Sequence, residues 1–224
     1  MTAINPLAAA VLFHLGPVPI SPTVATTWAI MAGLAGGARL LTRRLADRPG
    51  RAQAALEAVI EAVVGQIEAT LRQPPRPYLP LIGTLFLFIL ACNLSPALPG
   101  VTAPTARIET TGALALIVFL ATHVYGIRAL GLRRYLAHYV QPSPLLAPLT
   151  FLSEGTRTFA LMVRLFGNVM SHELVLAVLL GLAGLLLPVP IMALGLLIGA
   201  VQAYIFAVMA AVFVGAAVGA VENG

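Results

Sequence analysis

From Leu149 to Leu187 the chain runs for about forty residues as nearly unbroken apolar helix, yet it carries Glu154, Arg157, Arg164, His172 and Glu173 inside that run. At about 1.5 Å per residue such a helix is near 60 Å long, roughly twice the hydrocarbon thickness of a bilayer, so it cannot cross along the membrane normal. An ionisable side chain in lipid costs about 2.5–3.5 kcal/mol on insertion scales, which makes each of these groups a functional candidate. Pairing as glue between helices is the competing explanation. It accounts poorly for five such groups in one run when the middles of the other apolar segments hold no partner acids.

The rest of the composition places the chain in the bilayer. With 59% hydrophobic residues, 9% charged residues and a mean hydropathy of +0.96, a water-soluble globule could not cover its surface with polar groups. An all-α integral membrane protein is expected. The net charge of +5 is carried by 13 arginines with no lysine, and these flank apolar segments without forming a dense basic face, which argues against nucleic acid as a partner. A single cysteine, Cys92, excludes an internal disulfide and a Cys-based metal cluster, and reads as a small buried hydrophobe.

Residues 1–21, interrupted by Pro6, Pro17 and Pro19, lack a basic n-region and a cleavage site, and read as an interfacial tail on the outer side. Residues 22–42 form a first transmembrane helix closed by Arg39, Arg43, Arg44, Arg48 and Arg51, a cluster that the positive-inside rule places in the cytoplasm, with the N-terminus outside. Over 50–72, Leu56, Ile60, Val63, Val64 and Ile67 share one face and Glu57, Glu61 and Glu68 the other, the pattern of an amphipathic helix on the cytoplasmic surface. Prolines 74, 75, 77 and 80 end it, and a helical hairpin follows over 79–134, its second arm closed by Arg128, Arg133 and Arg134. A second hairpin occupies 146–222 around Pro188-Val189-Pro190, bringing the C-terminus to the cytoplasm. The expectation is one domain of about five membrane-embedded helices and one surface helix.

Arg164 lies ten residues after Glu154 and nine before Glu173, about 14–15 Å from each along the axis. A mid-membrane cation is thus flanked by one acid toward each face. At about 100° per residue Arg164 and Asn168 share a face, while Glu173 points roughly the opposite way. An arginine stays charged at any physiological pH, which suits a permanent barrier. Glu154 and Arg157, three residues apart, read equally well as a surface ion pair. His14, His123 and His138 lack a second ligand at helical spacing and read as packing or interfacial residues rather than metal ligands; Trp28 reads as packing against a neighbour or lipid. A hairpin folded as a straight ladder about Pro188 would set Gln202 opposite Leu174.

Arg164-Leu165-Phe166-Gly167-Asn168, followed by Glu173-Leu174, resembles the signature of subunit a of F-type ATP synthases. Asn93-Leu94 with Leu98-Pro99, Glu154-Gly155, and Gln202-Ala203-Tyr204-Ile205-Phe206 extend the resemblance from about Gly16 to the C-terminus. It implies a multi-pass subunit of the bacterial cell inner membrane, beside the c-subunit ring and the subunit b stator stalk. It further implies a strongly tilted C-terminal hairpin and two offset half-channels separated by the arginine at Arg164. Asn168, Glu173 and Gln202 match outer-path positions, His172 beside Glu173 joins them as an ion-translocation candidate, and Glu154 matches a cytoplasmic-side carboxylate; Glu154, Arg157 and Tyr204 are the weaker candidates. The translocated ion is H+, with Na+ as the alternative, and no cofactor is expected.

The chain also departs from common members. It is about one turn shorter between Glu154 and Arg164, and it has Arg107 and Glu109 where many carry an acid and an asparagine. It has Gly195 where some place a histidine, and the resemblance implies a histidine moved across the hairpin to His172. With Thr156-Arg157-Thr158, these traits resemble the N-type branch. The alternative, an unrelated ion channel or secondary transporter, lacks support from any internal repeat. Without lysine a GxxxxGK[ST] loop is impossible, so nucleotide chemistry falls to partner subunits.

Overall fold

The computed structural model describes residues 13–15, 18–20, 22–43, 50–71, 74–98, 101–140, 147–183 and 188–219. Its helices are α1 (Pro22–Thr42), α2 (Arg51–Leu71), α3 (Leu79–Leu94), α4 (Ile108–Leu130), α5 (Leu132–Val140), α6 (Ala147–Ala183) and α7 (Pro188–Gly219). Within the stretch read as an interfacial tail, Phe13–Leu15 and Val18–Ile20 form a short antiparallel hairpin that pairs His14 with Pro19. Single 3₁₀ turns at Ser95–Ala97 and Pro104–Ala106 shape the connection from α3 to α4.

Among the described residues, four segments are long and apolar enough to cross a membrane: Leu79–Ala97, Ile108–Leu130, Pro148–Leu182 and Pro188–Gly219. The stretch expected as the first crossing is one continuous helix, α1, with Arg39 in its last turn. It packs against α3 and the 104–106 turn, and Trp28 is exposed on it.

α7 is the hub. Small side chains at Ala203, Ala207, Ala210 and Ala211 are buried, and such residues let neighbouring helices approach closely where lipid offers no hydrophobic drive. On one side Ala203, Phe206 and Ala210 meet Leu85 and Ile89 of α3, Leu114 and Val118 of α4, and Leu161 and Leu165 of α6. On another, Ala207, Ala211, Val214 and Val218 meet Ile67 of α2 with Tyr78 and Ile82 at the start of α3. The amphipathic helix α2 therefore docks through its C-terminal half, leaving Glu57, Glu61 and Glu68 exposed. The hydroxyl of Tyr125 donates to the Pro77 carbonyl at 3.0 Å and joins the start of α3 to the end of α4.

The stretch after α4 that holds His138 forms the short helix α5. Gly131 breaks α4 with φ 75°, a left-handed conformation that glycine adopts without steric cost, and the chain turns back so that Tyr135 is buried. The Tyr135 ring lies against Gly126 of α4, where any Cβ would collide with it. His138 belongs to α5, but its side chain is outside the described residues.

Candidate functional site

α6 is a single 37-residue helix, about 55 Å long, and in its most apolar stretch only 11% of residues are buried, against 44% in α7. One stripe, including Leu161 and Leu165, packs inward, while Phe151, Leu152, Phe159, Val163 and Val178 face away from the chain. Arg164 is on the exposed side, next to buried Leu165, and has no ion pair or hydrogen bond among the described residues. Polar groups gather on either side of it along the axis.

Toward the C-terminal end of α6, a cavity of about 40 Å³ is lined by Asn93, Asn168, His172, Glu173, Gly195 and Gln202 among others. Asn168 Nδ2 donates to Gln202 Oε1 at 2.7 Å. Gln202 is buried, and its Nε2 has no hydrogen-bond partner among the described residues. An amide NH₂ left bare in an apolar setting costs about 1–3 kcal/mol, so a cavity able to admit water beside it is physically consistent. Asn93 donates through Nδ2 to the Gly199 carbonyl at 2.8 Å and accepts at Oδ1 from the Thr105 hydroxyl at 2.6 Å. Glu173 accepts at Oε1 from the Ala103 backbone N–H at 2.9 Å, which fastens the 104–106 turn to α6.

Two glycines make this cavity. The His172 ring fills the space that a side chain at Gly195 would need, and Gly199 lets Asn93 approach, since an added Cβ would lie 2.9 Å from the Asn93 Cβ. An imidazole mounted on α6 thus fills the space beside Gly195 of α7. Gln202 is bonded to Asn168 rather than set opposite Leu174, as it would be on a straight ladder about Pro188. Asn168 lies one helical turn beyond Arg164 on the same face.

Toward the N-terminal end of α6 a second cavity, about 190 Å³, is lined by His123, Tyr135, Thr150, Glu154, Arg157 and Thr158 with apolar Phe119 and Phe213. Glu154 Oε2 lies 3.4 Å from His123 Nε2. Glu154 turns toward His123 of α4, while Arg157 is exposed. Tyr204 lies on a different side of α7 from Gln202. Two residues from Gln202 means about 200° around α7, and its hydroxyl donates to Gln66 Oε1 at 2.7 Å in a groove against α2 and α3. Thr105 and the Ala103 N–H are site groups that the sequence does not single out; His123 reads there as a packing or interfacial residue, and Asn93 enters only as part of the family motif.

The sequence profile of the ATP synthase A chain family matches residues 24–215. The chain belongs to that family. It is 56% identical over 220 residues to ATP synthase subunit a 2 of Bradyrhizobium sp. strain BTAi1, covering 98% of this chain and 99% of that one. Subunit a 2 of Pelobacter propionicus is 46% identical across 94% of this chain and 92% of its own length. Subunit a of Moorella thermoacetica is 42% identical across 96% and 97%. As a subunit a of an F-type ATP synthase, the chain is an ion-translocating, integral membrane part of the stator.

Proposed function

We propose that α6 and α7 provide two offset access paths, one through each cavity, and that Arg164 separates them while meeting the ion-binding carboxylate of a passing c subunit. The observation that carries the reading is the placement of Arg164 on the open face of α6, with a polar cavity toward each end of the helix. A guanidinium that never loses its proton blocks a continuous ion path and attracts a carboxylate into its ionised form. Asn168, His172, Glu173 and Gln202 serve the outer path, and Glu154 with Arg157 the cytoplasmic one; Tyr204 only ties α7 to α2. The N-terminus faces outward and the C-terminus the cytoplasm of a bacterial inner membrane. The c-ring, subunit b and lipid are the partners, the ion is H+ with Na+ as the alternative, and catalysis on nucleotide belongs to other subunits. The shorter spacing before Arg164, with His172, fits the N-type branch.

The test is Arg164→Ala in the whole complex reconstituted into vesicles, read as ATP-driven ion uptake. Uptake is expected to vanish, and Arg164→Lys to fail largely as well, since a desolvated lysine can give up its proton. Retained pumping by Arg164→Ala in assembled complex overturns the reading.

A further inference from the structure

We propose that His123 and Glu154 hold one proton between them and pass it along the path through the second cavity, so that His123 is a proton-carrying residue rather than a packing one. This rests on the ion-translocation reading above. His123 Nδ1 lies 2.8 Å from the Phe119 carbonyl oxygen. A carbonyl can only accept, so Nδ1 carries the hydrogen, and neutral His123 then turns the lone pair of Nε2 toward Glu154. That Nε2 is 3.4 Å from a Glu154 oxygen. With both groups deprotonated at these positions, a lone pair would face a carboxylate. One added proton removes the conflict in either of two ways: as an imidazolium facing a carboxylate, or as a carboxylic acid facing a neutral imidazole. The pair is therefore a one-proton site, loading a proton from one direction and releasing it in the other with no other bond made or broken.

The surroundings suit that role. Both side chains are about a quarter exposed, 24% and 26%, so the site is neither sealed nor free in water. The other titratable or charged groups lining the cavity are Tyr135 from α5 and Arg157 from α6, while α7 contributes only Phe213, Ala216 and Ala217. The Phe119 and Tyr135 rings, centred 4.3 and 6.0 Å from the imidazole, hold it in place. Glu154 lies ten residues before Arg164 on α6, so a proton released inward heads toward the exposed guanidinium face.

The experiment uses the complete complex in vesicles, with assembled complex quantified, and measures ATP-driven acidification from pH 5.5 to 8.5. His123→Gln keeps polarity but cannot titrate. It is expected to slow pumping at least about tenfold, less than the usual hundredfold or more for a positioned proton-transfer group because cavity water offers a bypass. It should also flatten the pH profile, because the side chain at this position can no longer take up or release a proton. Glu154→Gln should produce the same two changes, and it carries the test if His123→Gln fails to assemble. The double variant should be no slower than the slower single, since a shared proton is lost once. Wild-type rates, an unchanged pH profile, or multiplicative losses overturn the proposal. Arg164→Ala in parallel separates the two readings: if it stops pumping while His123→Gln and Glu154→Gln are silent, only the relay fails, and if it pumps normally the translocation reading itself fails.

Discussion

Gly195→Ala is the smallest change that should disable the cavity between His172 and Gly195. A Cβ at that position would fall inside the His172 ring, closer to three ring atoms than any real contact, so no shift of a few tenths of an ångström suffices. The imidazole must leave its rotamer or α7 must move away from α6. Overpacking of this kind costs about 1–3 kcal/mol. α7 cannot yield easily, because Gln202 is bonded to Asn168 and Gly199 to Asn93 within two turns of Gly195. The ring therefore swings, carrying its nitrogens out of the cavity beside Glu173. If the whole cost appears in the barrier to ion passage, the rate falls about five- to 150-fold, since about 1.36 kcal/mol is a factor of ten. ATP-driven uptake by reconstituted complex, normalised to assembled complex, measures it. The paired change His172→Gly with Gly195→His sets an imidazole in the same space from the opposite helix and should recover much of the loss. A Gly195→Ala complex pumping within about twofold of wild type refutes the reasoning, because at most about 0.4 kcal/mol would then reach the barrier.

Glu173→Gln keeps an oxygen for the Ala103 N–H and removes only the charge, so it should slow uptake while leaving ATP hydrolysis coupled to it; wild-type uptake removes Glu173 from the path. Gly199→Ala places a Cβ 2.9 Å from the Asn93 Cβ and 3.4 Å from its backbone oxygen, and Asn93 is held by two hydrogen bonds. It should cost about 1–3 kcal/mol, seen as a lower thermal midpoint of the complex. Tyr204→Phe breaks an exposed hydrogen bond to Gln66 and should cost at most about 0.5–1.5 kcal/mol of stability with uptake unchanged; a transport defect would return Tyr204 to the ion path.

What could be read from the sequence is what one helix carries by itself. Arg164, Asn168 and Glu173 stand out because charge and amide within an apolar run are visible locally, and their relative faces follow from helical periodicity. Pairings across helices were not legible. Spacing alone leaves the partner of Gln202 open, because the register of the two arms depends on how the helices cross, and only the bond to Asn168 fixes it. Tyr204 shares the Gln202-Ala203-Tyr204-Ile205-Phe206 motif with Gln202, yet two residues on a helix face nearly opposite ways. The break at Gly131 was visible only as a glycine among arginines, too short a cue to promise nine residues of α5. His123 and Glu154 lie on separate helices 31 residues apart, and nothing local to either announces the other.

The open face of α6 has a mechanical meaning. Phe151, Leu152, Phe159, Val163 and Val178 offer a passing apolar surface dispersion contacts alone, and these change little as one side chain replaces the next. Between them stands Arg164, the one cation in the central part of the helix. On the proposed reading, a rotor sliding along such a face would meet a smooth bearing with a single electrostatic detent, its stepping timed by charge and its friction low.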